Sequence, residues 1–299
     1  MKSVYLVSGL DVKRFDSEGE ILIRALKKRD IVGELVCWDD PEVDWGKPDL
    51  VIVKSASDYA WKRNSFLHWA KNLPGQNRLW NHAQVLEWNS GKNYLLQLQK
   101  AGIPMPPTIL IERETGLDLG DLLRDKNWCE IVVKPTVSVG SLGLRRFKQG
   151  DPEAEKHCVR ITRDGFTDSV LGTSFTFPPC DALVQPFVPD IFSTGEASLI
   201  FFGGKLSHSV IKKVKPGDFR AHPGFGATVN LYDASGSEVK CAQDAMSLAP
   251  IKPEYARIDM IPGVDGPLLL EMELIEPWLF FPLIEGSVEN FADHISSSL

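Results

Sequence analysis

The residues best suited to chemistry lie in two short stretches, Arg257-Ile258-Asp259 and Glu271-Met272-Glu273, joined across Pro262-Gly263-Val264-Asp265-Gly266. Strand side chains alternate between faces, so Arg257 shares a face with Asp259, and Glu271 shares one with Glu273. A hairpin centred on Asp265 sets Asp259 opposite Glu271, where like charges repel. Three carboxylates gathered there call for a cation. An all-oxygen ligand set points to Mg²⁺, commonly held by one or two carboxylates together with substrate phosphates. The same alternation describes the solvated face of an edge hairpin, and this stretch alone does not choose between the two.

Two further segments are basic. Lys134 closes the apolar run Glu130-Ile131-Val132-Val133, where a lysine is seldom buried without a partner; a phosphate would serve. The loop after it, Thr136 to Gly143, carries Ser138, Gly140, Ser141 and Gly143 and can offer backbone N–H groups to phosphate oxygens. It leads into another strand, so neither a Walker loop nor a dinucleotide fingerprint fits, and an ordinary hairpin turn is the plain alternative. Lys212, Lys213, Lys215 and Arg220, followed by the glycine-rich run to Gly226, suit the oxygens of a transferring phosphoryl group. A solvated basic loop is the competing reading there, and His222 is either a base or a surface residue.

The elements that would position these groups are legible. Val4–Val7, Gly33–Trp38 and Asp49–Val53 are apolar strands alternating with helical stretches at Glu18–Lys28 and Asp58–Leu73, which predicts a small parallel α/β sheet buried on both faces. A helix follows over Val85–Gln99, closed by the proline-rich, extended Gly102–Thr108. Beyond it strands dominate: Glu130–Lys134, Leu144–Phe147, Ala182–Val188, Ala197–Phe202, Leu206–Val214, Ala256–Ile261 and Leu268–Ile275. Gly203-Gly204 reads as a two-residue hairpin turn.

Composition narrows the class. The 299 residues carry 33 Lys+Arg against 40 Asp+Glu, a net charge of −7, without the basic footprint of a nucleic-acid or membrane-surface binder. No run approaches the ~20 apolar residues of a membrane span. Cys37, Cys129, Cys158, Cys180 and Cys241 are scattered and include no Cys-x-x-Cys pair, so neither a disulfide framework nor a zinc site is favoured and a reducing cytoplasm is expected.

The order of these parts is more specific than any one of them: lysine-ended strand, glycine-rich loop, Gln185-Pro186-Phe187-Val188, basic glycine-rich loop, Arg-x-Asp, Glu-x-Glu. In that order the chain resembles the ATP-grasp ligases, the superfamily of glutathione synthetase, D-alanine–D-alanine ligase and the ribosomal-protein glutamate ligase. Asn81 through Leu95 and Gly195 through Phe202 are similar to a bacterial branch that includes the O-ureido-serine cyclo-ligase of cycloserine biosynthesis. The resemblance implies an α/β fold of the ATP-grasp type: a small parallel α/β domain over residues 1–80, a central subdomain with the glycine-rich loop over 81–187, and a C-terminal subdomain with the metal site over 188–299.

By resemblance, Lys92 and Lys134 meet the α- and β-phosphates of ATP, and Ser138 to Gly143 form the loop over them. Gln185, Phe187 and Val188 form the hinge that reads adenine, and Glu196 meets the ribose. Lys212 and Arg220 face the terminal phosphate, Asp259, Glu271 and Glu273 hold magnesium, and Arg257 accompanies them. Two Mg²⁺ are implied, with Mn²⁺ an acceptable substitute. There are departures: many members carry Asn in place of Glu273, hinge Gln185 is often Glu, and Lys54-Ser55-Ala56-Ser57-Asp58-Tyr59 stands where the branch has Arg-Ser-x-Trp-Asp-Tyr.

The activity implied is ATP-dependent carboxylate–amine ligation of a small amino-acid-like substrate through an acyl-phosphate, with ring closure of O-ureido-D-serine to D-cycloserine as the sharpest candidate and dipeptide formation as its rival. Acceptor recognition is expected around Ser8–Asp11 and Lys54–Tyr59, where domains meet. The superfamily also admits a homodimer. From other classes, an ATP-binding regulatory module and a plain interaction domain stay open, although the joint presence of Lys134, Arg220, Asp259, Glu271 and Glu273 argues against a binding-only role.

Overall fold

The computed structural model describes residues 1–113, 119–263 and 265–299; the turn residue Val264 lies outside them. The first sheet contains β1 (Lys2–Ser8), β2 (Ile31–Cys37), β3 (Leu50–Ser55) and β4 (Leu79–Trp80), all parallel, in the order β2-β1-β3-β4. Its central strands β1 and β3 are buried at Val4–Val7 and Leu50–Val53, as unbroken apolar runs require, while edge strand β2 mixes buried and exposed positions. Helix α1 (Gly19–Lys27) begins where Asp16 accepts hydrogen bonds from the amides of Glu18 and Gly19, each 3.0 Å. The stretch expected as one helix from Asp58 is a 3-10 turn over Ser57–Ala60 and then α2 (Arg63–Asn72).

A second difference bears on the site. The helix expected over Val85–Gln99 is two, α3 (Ala83–Asn89) and α4 (Tyr94–Lys100). Asn89, Ser90 and Gly91 are weak helix formers, and the Lys92 amide leaves the helical ladder to donate to the Thr136 carbonyl at 2.7 Å. The break turns Lys92 inward.

The second sheet is antiparallel, built from β5 (Ile109–Ile111), β6 (Glu130–Pro135), β7 (Arg145–Lys148) and β10 (Ala182–Pro186) in the order β5-β10-β6-β7. Helices α5 (Leu119–Leu123) and α6 (Pro152–Val159) and the hairpin β8 (Phe166–Val170) to β9 (Thr173–Phe177) complete this region. The third sheet orders β11 (Glu196–Phe202), β12 (Lys205–Lys213), β13 (Thr228–Leu231), β14 (Tyr255–Gly263) and β15 (Gly266–Glu273) as β13-β12-β11-β14-β15, with α7 (Gly236–Met246) against it. The β11–β12 turn is Gly203-Gly204, at φ 56° and 80°, the left-handed pair such a turn needs.

The apolar core continues across residue 80. The C-terminal helix α8 (Ser287–Ser298) inserts Phe291 and Ile295 among Leu6 and Ile52 of the first sheet, Leu22 of α1, and Phe202 and Tyr255 of the third sheet. The Tyr255 hydroxyl donates within hydrogen-bond distance of the Val53 and Ile275 carbonyls, and Asn81 Nδ2 reaches the carbonyls of Tyr255 and Leu274 at 2.8 and 2.7 Å. The first and third sheets therefore meet as one packed body, and the clefts form where the second sheet faces them.

Candidate active site

The acidic hairpin is paired with a shift. Near the turn Gly263 faces Gly266 and Met260 faces Leu269, whereas beyond a bulge Asp259 faces Glu271 and Arg257 faces Glu273. The hairpin is not symmetric about Asp265 as expected; the extra residue Leu270 restores the expected pair. Had the turn register continued, Asp259 would face Leu270, and Glu271 and Glu273 would point to the opposite face. The carbonyl of Leu270 accepts from Lys134 Nζ at 3.4 Å.

Around this hairpin the described side chains form two sets of contacts, one about Arg257 and Asp259 and one about Glu271. Arg257 reaches Asp259 with Nε at 3.0 and 3.1 Å and Nη2 at 2.9 Å, and Glu273 with Nη2 at 2.6 Å. Ser198, the cross-strand neighbour of Asp259 on β11, donates to its carboxylate. Lys212 pairs with its own cross-strand neighbour Glu196 and lies 3.4 Å from Asp259. Lys92 bridges Glu271, at 2.9 Å, to the Ser138 carbonyl, at 3.0 Å.

These contacts set the charge states. Burial opposes ionisation of Asp259, but Arg257 and Lys212 override it and hold the carboxyl below the usual range. For Glu273 burial wins, aided by Glu271 and Asp259 against Arg257, and the group is pushed up to about 7. Lys134 is pushed down to about 8, chiefly by burial and further by Lys92, with Glu271 opposing.

One cleft collects nearly all the expected residues: Lys92, Lys134, Ser138, Gly140, Ser141, Gln185, Phe187, Val188, Glu196, Lys212, Arg220, Arg257, Asp259, Glu271 and Glu273. Gly143 does not line it. Its amide donates to Asp168 at 2.8 Å, and a Cβ on it would lie 2.6 Å from Pro135 at a φ of +76°, so its role is to turn the chain. Strand β10 ends at Pro186, leaving Phe187 and Val188 as a connector. Gln185 spends its side-chain amide on Thr108, at 2.7 Å. Arg220 is folded onto Asp218, at 2.6 Å, and over the Phe225 ring, at 3.5 Å.

Sequence reasoning missed the apolar walls, Val132, Leu144, Ile191, Phe219, Ile261 and Leu270, which offer a slot for a flat ring. It also missed Ser198, whose only signal is a hydroxyl inside an apolar strand. His222 is half-buried. It lines this cleft, and burial together with Lys212 and Arg257 pushes it down to about 4, so its imidazole is neutral at pH 7.

A second cavity of about 370 Å³ opens beside the first and shares Val139, Gly140, Lys212, Ala221, His222, Arg257 and Glu273 with it. Lys54, Ser55 and Ser57 line it, together with Val12 and Phe15 to Glu18, whereas Ser8–Asp11 do not.

Among the described residues no three His, Cys, Asp or Glu side chains converge into a protein-only metal cage. The Glu271 and Glu273 side chains are 29% and 26% exposed. Asp259 is already held by Ser198, Arg257 and Lys212. Two reachable oxygen donors beside a cationic cleft fit Mg²⁺ completed by phosphate oxygens; Asp259 could join them by giving up its longest contact, to Lys212.

Residues 4–81 match the family model described as the N-terminal domain of D-cycloserine synthetase DcsG. The chain is 27% identical over 295 residues, 93% of it and 92% of the relative, to the cycloserine biosynthesis protein DcsG of Streptomyces lavendulae. It superposes on the crystal structure of D-cycloserine synthetase DcsG with a TM-score of 0.84, 26% identity and 99% coverage of both chains. The chain has the ATP-grasp fold. The ATP-grasp fold extends to more distant structures: the D-alanine–D-alanine ligase of Bacillus anthracis complexed with ATP matches at TM-score 0.68 and 14% identity, over 99% of this chain and 97% of that one. In this ATP-grasp chain the described cysteines are all free, and among the described residues no helix is long and apolar enough to cross a membrane.

Proposed function

We propose that the chain activates the carboxylate of a small amino-acid-like molecule with Mg-ATP and closes a C–N bond on it, releasing ADP and phosphate. The observation that carries this is the convergence of Lys92, Lys134, Lys212, Arg220 and Arg257 on one cleft beside Glu271 and Glu273, with a second cavity opening onto the same Lys212, Arg257 and Glu273. Adenine takes the apolar slot against Gln185, Phe187 and Val188. Lys92 and Lys134 meet the α- and β-phosphates beneath the loop carrying Ser138, Gly140 and Ser141. Glu196 turns to the ribose, which frees Lys212 to join Arg220 at the terminal phosphate.

The substrate carboxylate, entering from the second cavity, attacks the γ-phosphorus as the bond to ADP breaks, and Lys212, Arg220 and Arg257 offset the charge on the transferred group. A nitrogen then attacks the acyl carbon, phosphate departs, and the nitrogen loses its proton; with O-ureido-D-serine the ring nitrogen still carries the carbamoyl group, and water must cleave that N–C bond, releasing carbon dioxide and ammonia, to give D-cycloserine. The loop over the phosphates excludes water that would hydrolyse the acyl-phosphate. Mg²⁺, held by Glu271, Glu273 and Asp259, would supply Lewis-acid neutralisation of the phosphates.

Ring closure of O-ureido-D-serine to D-cycloserine is the specific reaction we favour, because the likeness to D-cycloserine synthetase covers 92% or more of both chains in sequence and 99% in structure. Dipeptide formation is the second reading, favoured by the match to a D-alanine–D-alanine ligase. ADP release from Mg-ATP is measured against O-ureido-D-serine and against amino acids singly and in pairs. Release with O-ureido-D-serine alone, together with D-cycloserine detected by mass, supports ring closure. Release only with pairs supports the dipeptide reading, and no release with any of them retires the ligase activity.

Lys134 gives a pH signature. Its amine is half neutral near pH 8 in the free protein, and phosphates restore its charge. Mg-ATP binding should therefore take up protons around pH 8, and affinity should fall as pH rises above 8. Calorimetry in buffers of different ionisation enthalpy reads the uptake; uptake unchanged in Lys134→Met would refute the assignment.

A further inference from the structure

The second cavity contains a carboxylate that the proposed chemistry does not use. Glu276 lines this cavity and a smaller one behind Lys92, Tyr59 and Glu271, and it does not line the nucleotide cleft. Among the described residues no hydrogen bond or ion pair reaches it. The two cations that act on it, Arg257 and Lys54, are committed to closer acids: Arg257 to Asp259 and Glu273, and Lys54 to Glu18 at 2.5 Å. Glu273 and Glu271 add repulsion. A half-buried acid placed this way lacks a positive partner.

Its position is enforced from both sides. Tyr255 holds the carbonyl of Ile275 at 3.0 Å, and Lys54 holds that of Pro277 at 3.3 Å. The buried Glu18 carboxylate accepts from the amides of Leu279 and Phe281 at 2.9 to 3.1 Å, which fixes Phe280 between them at a φ of +62°. Trp278 and Phe280, in contact at 4.5 Å between ring centroids, thereby stand in the cavity wall next to Glu276. Phe15, Trp61 and Phe175 close the other side.

We propose that Glu276 receives the ammonium group of the amino-acid substrate, with Trp278 and Phe280 packed against its carbon chain. This rests on the ligase reading above. An ammonium brings three donors to a carboxylate that has none, and neighbouring aromatic faces favour a cation. A phosphate-bound metal is the wrong occupant, because it must sit in the nucleotide cleft that Glu276 does not line. The ammonium on Glu276 leaves the substrate's carboxylate to point toward Lys212 and Arg257, where the two cavities join.

The test uses the full chain saturated with a non-hydrolysable Mg-ATP analogue. Binding of O-ureido-D-serine and of D-phenylalanine is measured by calorimetry, each against its counterpart lacking the amino group. Wild type should prefer at least one amino form by about tenfold or more, the worth of a charge-assisted hydrogen bond. In Glu276→Gln that ratio should fall to about one while affinity for the Mg-ATP analogue and its Mg²⁺ dependence stay unchanged. A retained ratio in the variant, an altered Mg²⁺ dependence, or equal binding of amino and desamino forms by wild type would each overturn the proposal. A ratio that depends on Glu276 without ADP release from Mg-ATP would retire the ligase reading and leave the ammonium site standing.

Discussion

Glu271→Gln is expected to lower kcat/KM for ADP release by about 4 kcal/mol in barrier height, on the order of 10³-fold, because the residue would supply one of the two reachable carboxylates for magnesium. The amide keeps the volume and one acceptor oxygen, so packing around Met272 and the β14 pairing should persist. In the free protein Glu271, its side chain 29% exposed, meets the buried Lys92 at 2.9 Å; the amide oxygen of Gln still accepts from Lys92, so what is lost is the difference between a charge-assisted and a neutral hydrogen bond, about 1 kcal/mol. The expected result is an enzyme with a nearly normal melting temperature, a steeply raised Mg²⁺ requirement and almost no turnover. Turnover within tenfold of wild type at saturating Mg-ATP would sink the metal assignment.

Lys54→Met should have the largest effect on stability. Lys54 and Glu18 are 4% and 1% exposed in their side chains and 2.5 Å apart, and leaving the partner of a buried pair uncompensated costs about 3–5 kcal/mol. A buried pair can often be replaced whole by apolar residues at little cost. Here Glu18 also accepts the amides of Leu279 and Phe281, so the double variant Glu18→Leu, Lys54→Met should stay destabilised as well. Urea unfolding reads both; a loss under about 1 kcal/mol in Lys54→Met would show that the pair contributes little. At temperatures where the single variant remains folded, amino-acid binding should weaken more than binding of Mg-ATP, since the segment freed carries Trp278 and Phe280 into the second cavity.

Periodicity and residue type carried much of this protein's reading. The apolar runs at Val4–Val7 and Leu50–Val53 could only be buried strands, and they form the parallel sheet. Gly203-Gly204 could take the left-handed turn that joins β11 to β12. Lys134, Lys212, Arg257, Asp259, Glu271 and Glu273 stood out as charges set into apolar strands, and they line one cleft. Side-chain alternation along a strand is local, so it can be read without the fold.

What only the tertiary structure decided were registers, breaks and distant partners. The bulge at Leu270 determines whether Glu271 and Glu273 face Arg257 and Asp259 or turn away, and no local pattern announces it, because its carbonyl is met by Lys134 from another sheet. The break at Ser90–Asn93 depends on Thr136 capturing the Lys92 amide. Glu18 and Lys54 lie 36 residues apart and are 261 and 223 residues from the backbone groups they hold at Leu279 and Pro277. A charge buried against a backbone amide that far along the chain leaves no spacing to read, since the energy that fixes it comes from desolvation on folding and not from neighbours in sequence.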